Sequence, residues 1–391
     1  MRPVSLYVHV PFCRRRCQYC TFYHVPTTDP RLEAAFLRAL AAEYEQAEDE
    51  IGEAFFFPTV FIGGGTPSVL DRRSIEEIID LIAPRIASDG AELTIEVNPE
   101  DVNEVLLDML VRSGFNRISA GVQSMSGPAQ KSLGRCEPDV NHRALGQIKN
   151  RFANFNVDLL LGVPGGTPRK LMKTLKRIEE FNPPHLSVYC LEPGGVLGPS
   201  SNGFFESVDQ EQSADEYLFV CRELEERGYH HYEVSNFARP GFECRHNLVY
   251  WRGGEYLGIG PSAHTYLAGE RFSNIASIEA YTRAQPMSLG AIRRHDHRDH
   301  SQRRLETAML ALRTSEGLAV EDLHVSGSVV DDLVGERLAR IEQGRIVVND
   351  RGYLVLDEIV QRLCRQTDTG DHGGADSLTA KESNDRLNKG F

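Results

Sequence analysis

The chain has 391 residues and carries Lys+Arg 43 against Asp+Glu 56, a formal net charge of −13, so no diffuse positive field exists to hold phosphate backbones or anionic lipid. Nucleic acid is therefore not expected as a partner, and no apolar run approaches the roughly 20 residues of a transmembrane segment. Eight cysteines, five of them single (Cys136, Cys190, Cys221, Cys244, Cys364), do not form a disulfide framework and predict a reducing, cytoplasmic setting. With a first strand predicted from Leu6, no signal or transit peptide is expected.

In chain order, strand-like runs at Leu6–Val10, Thr59–Ile62, Leu93–Val97, Arg117–Val122, Val157–Leu161 and Leu186–Leu191 alternate with helix-like runs at Arg31–Ala47, Ser74–Ile86, Asp101–Arg112 and Lys170–Glu180. Apolar residues recur at three- and four-residue intervals in the second set, the pattern of helices with one buried face. This cadence predicts an α/β fold built from six βα units, a complete or partial parallel barrel. A Gly/Pro/Ser-rich stretch, Glu192–Gly203, reads as a lid or a connector. A helix is expected at Asp215–Arg227 and a strand at His230–Ala238. Residues 302–366 read as helices followed by a small hairpin, a winged-helix-like appendage. From Thr367 the tail has few large apolar residues and is expected to be disordered.

The residues at the C-terminal end of each predicted strand carry the chemistry. The first strand leads into Cys13, Cys17 and Cys20, and the second into Gly63-Gly64-Gly65-Thr66-Pro67. The third ends in Glu96, the fourth runs on into Gln123, the fifth carries Asp158, and the sixth ends in Tyr189 and Glu192. Loops after successive strands of a βα barrel converge on one face, so these residues are expected to share a site. Three thiolates in one loop suit an iron–sulfur cluster that lacks a fourth protein ligand, or zinc completed by His24. Arg14–Arg16 are expected to favour thiolates in either case. The glycine run lets a ligand approach the backbone, and it lacks the Lys and spacing of a phosphate loop.

Cys-x3-Cys-x2-Cys after the first strand, Gly-Gly-Gly-Thr-Pro after the second and Glu at the end of the third resemble the radical S-adenosylmethionine (SAM) superfamily. That resemblance implies a [4Fe–4S] cluster on Cys13, Cys17 and Cys20, with SAM filling the open iron. It also implies SAM contacts from Tyr7, Gly64, Gly65, Thr66, Glu96, Gln123, Arg135 and Asp158, on a radical-SAM partial (β/α)6 barrel. Tyr7–Cys13, Leu133-Gly134-Arg135, Asp158–Gly165 and Tyr232–Gly241 are similar to the group that contains oxygen-independent coproporphyrinogen III oxidase and the haem chaperone family HemW. The oxidase branch has a fourth cysteine where this chain has Phe22, and a long extension before the cluster.

His246-Asn247-Leu248-Val249-Tyr250-Trp251 matches the His-Asn-x-x-Tyr-Trp haem motif of the chaperone branch, making His246 the expected haem ligand with Cys244 as a rival. The Arg293–His300 run reads as a solvated mixed-charge linker. The chain departs from the pattern at Glu137, where a His is common, and at Ser262, where Gly is common. The expected organisation is 1–240 barrel core, 241–301 haem-motif segment and linker, 302–366 winged-helix-like domain and 367–391 tail. The resemblance implies a haem chaperone that delivers haem to apo-haemoproteins, including membrane-bound respiratory proteins. Such a protein would be cytoplasmic or peripheral to the inner membrane through its partners. The alternative is SAM-dependent radical decarboxylation of coproporphyrinogen III.

Overall fold

The computed structural model describes residues 1–52, 54–191, 208–284, 289–323 and 327–364. The expected lid at Glu192–Gly203 and the tail from Thr367 lie outside them. The chain divides into two compact units, Met1–His297 and Arg298 onward.

In the first unit, besides two pairs of two-residue strands, the strands of the main sheet are β1 (Ser5–Val10), β2 (Thr59–Gly64), β3 (Glu92–Val97), β4 (Arg117–Gln123), β5 (Asn154–Leu161), β6 (His185–Cys190), β7 (His230–Glu233), β8 (Asn236–Ala238), β9 (Tyr256–Ile259), β10 (His264–Leu267), β11 (Glu270–Asn274) and β12 (Arg293–His295). They form one sheet in the order β7-β8-β6-β5-β4-β3-β2-β1-β9-β10-β11-β12. The run from β6 to β9 is parallel throughout, and the strands beyond it on both sides are antiparallel. The six predicted βα strands are present, and β9 adds a seventh parallel strand against β1. The fold is an α/β partial parallel barrel. The expected single strand at His230–Ala238 is instead a pair of short antiparallel strands.

The helices arise from their caps and stripes. Asp29 caps α1 (Pro30–Ile51), whose first-turn proline needs no hydrogen bond, and Asp71 caps α2 (Arg72–Ile82). In α2, Ile75, Ile78, Ile79 and Ile82 form the buried stripe, each contributing roughly 1.5–3 kcal/mol by leaving water. Next come α3 (Glu104–Arg112), α4 (Gly127–Leu133), α5 (Pro138–Lys149), α6 (Pro168–Glu179), α7 (Gln210–Glu226), α8 (Arg245–Trp251), α9 (Ile278–Arg283) and α10 (Leu289–Ile292).

The strands alternate strictly. Leu6, Val8, Val10, Val60, Ile62, Ile95, Ile118 and Val157 are inaccessible and back onto the helices. Tyr7, Phe61, Glu96, Gly121 and Asp158, on the other face, keep partial accessibility. The inner face of the sheet therefore carries most of its polar side chains.

The second unit contains α11 (His300–Ala311), α12 (Gly327–Gly335), α13 (Asp350–Tyr353), α14 (Leu356–Cys364) and a small sheet of β13 (Leu318–Ala319), β14 (Ala339–Glu342) and β15 (Arg345–Val348). Its core holds Leu312, Leu333, Ile346 and Ile359. No helix of the described residues is long and apolar enough to cross a membrane.

Candidate functional site

The cysteine loop leaves the C-terminal end of β1 and is tied to the loop after β2: Gly65 donates its amide to Val10 at 2.7 Å and Thr66 to Phe12 at 2.8 Å. The glycine run is there for this approach. A Cβ on Gly65 would sit 2.6 Å from the Phe12 carbonyl, and one on Gly64 (φ +110°) would strike the His9 ring. The glycines thus admit the cysteine loop, and the Thr66 hydroxyl lies 3.4 Å from the Cys13 sulfur.

Burial pushes the Cys13 thiol up to about 11, partly offset by the Thr66 hydroxyl, and the Cys20 thiol up to about 12. Thiols held this far above their ordinary range ionise only against a strong positive centre, which iron supplies. That donor set fits the cluster. The expected cation near it is a different one. Arg14 is paired with Asp101 and Arg15 with Glu100, each at 2.8 Å, because the loop after β3 brings two carboxylates beneath them. Arg135 instead comes within 3.8 Å of the Cys17 sulfur while donating to the Gly121 carbonyl. His24 Nδ1 lies 3.8 Å from the Cys20 sulfur but bonds the Phe22 carbonyl at 2.8 Å, and its Nε2 is buried without a partner.

Around the mouth the other expected residues assemble. A bulge after Ala120 carries Gln123 to φ +67°, a conformation that costs a non-glycine residue roughly 1–3 kcal/mol. The missing side chain of Gly121 makes room for both Gln123 Nε2 and Arg135. Glu96 receives the Gly64 amide at 3.2 Å. Burial, then repulsion from Asp158, raises its carboxyl to about 8, so it is mostly protonated at neutral pH. A cationic ligand group beside it would draw it back to the carboxylate. Tyr7 bonds His9 Nδ1 at 3.1 Å, and His9 Nε2 bonds the Tyr23 carbonyl at 2.9 Å. Burial lowers His9 to about 4, so the neutral ring donates from Nε2 and receives the Tyr7 hydroxyl on Nδ1.

Asp158 is held from below. Asn156 Nδ2 lies 2.7 Å from it and 2.8 Å from both Ser119 and Ser187, while Asn156 Oδ1 meets His185 Nδ1 at 2.7 Å. Among the described residues Thr94 Oγ1, Arg117 Nε and Asn154 Oδ1 are buried without partners, and they lie towards the N-terminal ends of the strands, away from the cysteine loop. The motif readings overlook His9, Ser119, Asn156, His185 and Ser187. Their signal was the period-two alternation of polar and apolar residues within each strand.

His246 lies elsewhere. It belongs to helix α8, not a loop, at the N-terminal ends of the strands. Its amide donates to Glu92 at 3.0 Å, and its Nδ1 is 2.8 Å from Thr59 Oγ1. Glu92 and Thr59 are the first residues of β3 and β2. Five strand residues, roughly 16 Å, separate Thr59 from the cluster face. Thr59 donates to Ser5 and so accepts from His246 Nδ1, leaving Nε2 to accept the Tyr250 hydroxyl at 2.7 Å. His246 is 1% exposed, and burial lowers it to about 3. Its one lone pair is occupied within the protein. Cys244 is fully buried, and its thiol is pushed up to about 12.

Residues 7–178 match the radical SAM superfamily. The heme chaperone HemW of Lactococcus lactis is 31% identical over 378 residues, 93% of this chain and 97% of that protein. The heme chaperone HemW of Bacillus subtilis is 31% identical over 372 residues, covering 91% and 97%. Among solved structures, Escherichia coli coproporphyrinogen III oxidase (HemN), a radical SAM enzyme, matches with a TM-score of 0.78 at 25% identity over 93% of this chain and 90% of that one. Fold, cysteine loop and relatives converge: the chain belongs to the HemW heme chaperone family of the radical SAM superfamily.

Proposed function

We propose that this protein is a haem chaperone that carries a [4Fe–4S] cluster on Cys13, Cys17 and Cys20, binds SAM at the open iron, seats haem and passes it to apo-haemoproteins. The observation that carries this reading is the alignment of proteins named heme chaperone over more than nine-tenths of the chain. When bound, the cluster supplies one-electron reduction and a coordination position for SAM. The chain's own residues do the rest. Arg135 offsets thiolate charge, Glu96 and Thr66 receive the methionine end of SAM, and Gln123 and Asp158 hold its hydroxyl groups, with Tyr7 fixed by His9. The setting is cytoplasmic. Acceptors include membrane-bound respiratory proteins, reached through protein contacts because a net charge of −13 gains nothing from anionic lipid.

A second reading, coproporphyrinogen III oxidation, is favoured by the likeness to HemN. Phe22, standing where that branch has a fourth cysteine, weighs against it. Reconstituted protein incubated anaerobically with SAM, a reductant and coproporphyrinogen III should yield no multiple-turnover protoporphyrinogen IX, while the same preparation should bind haemin and transfer it to an apo-haemoprotein. Sustained product formation would overturn the chaperone reading.

A further inference from the structure

Three thiols leave one corner of a four-iron cluster without a protein ligand, and a spare donor stands beside them. After Cys20 the chain returns along the start of the cysteine loop. Val25–Pro26 pairs with Phe12–Cys13, Val25 donates its amide to the Pro11 carbonyl at 2.6 Å, and the Tyr23 carbonyl receives His9 Nε2 at 2.9 Å. His24 lies between these two anchors, so backbone contacts on either side fix its place.

Its ring is arranged as a metal ligand. Nδ1 is 2.8 Å from the Phe22 carbonyl, and a carbonyl only accepts, so in the neutral ring the proton sits on Nδ1 and the lone pair on Nε2. Metal-binding histidines share this arrangement, one nitrogen donating to a carbonyl while the other bonds the metal. Nε2 is buried and has no partner among the described residues, and Nδ1 is 3.8 Å from the Cys20 sulfur. The ring is also close to the inner face of the sheet. Protonation of His9, opposed chiefly by burial, is opposed further by His264 and His24, and the His9 ring underlies Gly64 of the glycine run. SAM would approach from that side.

We propose that His24 Nε2 is a reserve ligand for the fourth iron, closing the cluster while SAM is absent and giving way when SAM binds. The inference rests on the cluster and SAM reading above. The exchange moves no electrons between centres. The nitrogen–iron bond breaks with its pair left on Nε2, and the SAM amino and carboxylate groups donate pairs in its place, the ammonium proton passing to water. A protein ligand on that corner also slows loss of its iron.

Anaerobically reconstituted full-length protein carrying isotope-labelled histidine, reduced to the paramagnetic cluster, tests this by pulsed electron paramagnetic resonance. Wild type without SAM should show a directly bonded histidine-nitrogen coupling that disappears when SAM is added. His24→Asn keeps a donor for the Phe22 carbonyl and loses the imidazole lone pair. It should lack the coupling, lose its visible cluster absorbance in air several-fold faster, and bind SAM roughly three- to tenfold more tightly, because no ligand has to be displaced first. A residue that only braces the loop or SAM gives weaker SAM binding on exchange. No coupling in wild type, a coupling that survives in the variant, or equal or weaker SAM binding by a variant with a full complement of iron and sulfide would overturn the reserve ligand. Failure of wild type to assemble a four-iron cluster would instead overturn the reading beneath it, and the reserve ligand with it.

Discussion

Asn156 orients Asp158 from beneath the lumen mouth, joining Asp158, Ser119, Ser187 and His185 through one buried amide. Replacing it with alanine strands acceptors and a donor that have no water to turn to, at about 1–3 kcal/mol for such unmet groups. Asn156→Ala should therefore lower the urea-unfolding free energy by that amount and also weaken SAM binding measured by calorimetry, because Asp158 loses its fixed direction. Ser262 is the opposite case, a residue without a partner argument. Its φ of +67° lies where glycine is at ease, so the serine is strained there.

At the scale of elements, α1 is pinned to the sheet edge through Glu43. This carboxyl, 1% exposed, accepts the Tyr281 hydroxyl, the Gly260 amide at 2.8 Å and Asn274 Nδ2 at 2.6 Å. Burial raises it to about 7, opposed by those three groups and by Arg293. In the unfolded chain it titrates near about 4.3, so between the two values the folded state holds a proton that the unfolded state has lost. Stability from this group is therefore full at low pH and falls as pH rises towards 7, on the order of 3 kcal/mol in all. Glu43→Gln removes the titration. The difference in unfolding free energy between variant and wild type, measured by urea denaturation at pH 5 and pH 8, should move in the variant's favour at the higher pH. A constant difference would show that Glu43 is not the titrating group.

The strand cadence makes six of the seven parallel strands legible in the sequence. The seventh, β9, is hidden because four residues, Tyr256–Ile259, show no alternation long enough to read. Helix α4 escapes for a related reason, being seven residues long and opened by Gly127 and Pro128, and α5, at twelve residues, escapes although its buried positions Asn141, Ala144, Leu145 and Ile148 keep helical spacing, because one of them is polar and one small. The sequence offers no helix signal for α8, because its seven residues hold no apolar stripe, and what keeps it helical is Glu92 receiving the amides of Arg245 and His246.

At the scale of the whole molecule, the units Met1–His297 and Arg298 onward each have their own core. The cysteine loop and the polar inner face of the sheet both lie in the first. A chain ended after His297 should therefore unfold in one cooperative thermal transition and still take up iron and sulfide, read as the broad visible absorbance of the cluster. Loss of cluster assembly in a folded fragment would place part of the site in the second unit.

By itself the sequence determined the family and the face of the fold that carries its motifs: three closely spaced thiols, a glycine run and polar residues at strand ends are local patterns, and strand order brings them to one face whatever the details. Tertiary structure alone decided which of those groups are available. Arg14 and Arg15 are taken by acids, the glycine run serves the cysteine loop, and His246 has its lone pair occupied by Tyr250. A side chain's hydrogen-bond partners depend on neighbours far away in the chain, which no local motif records.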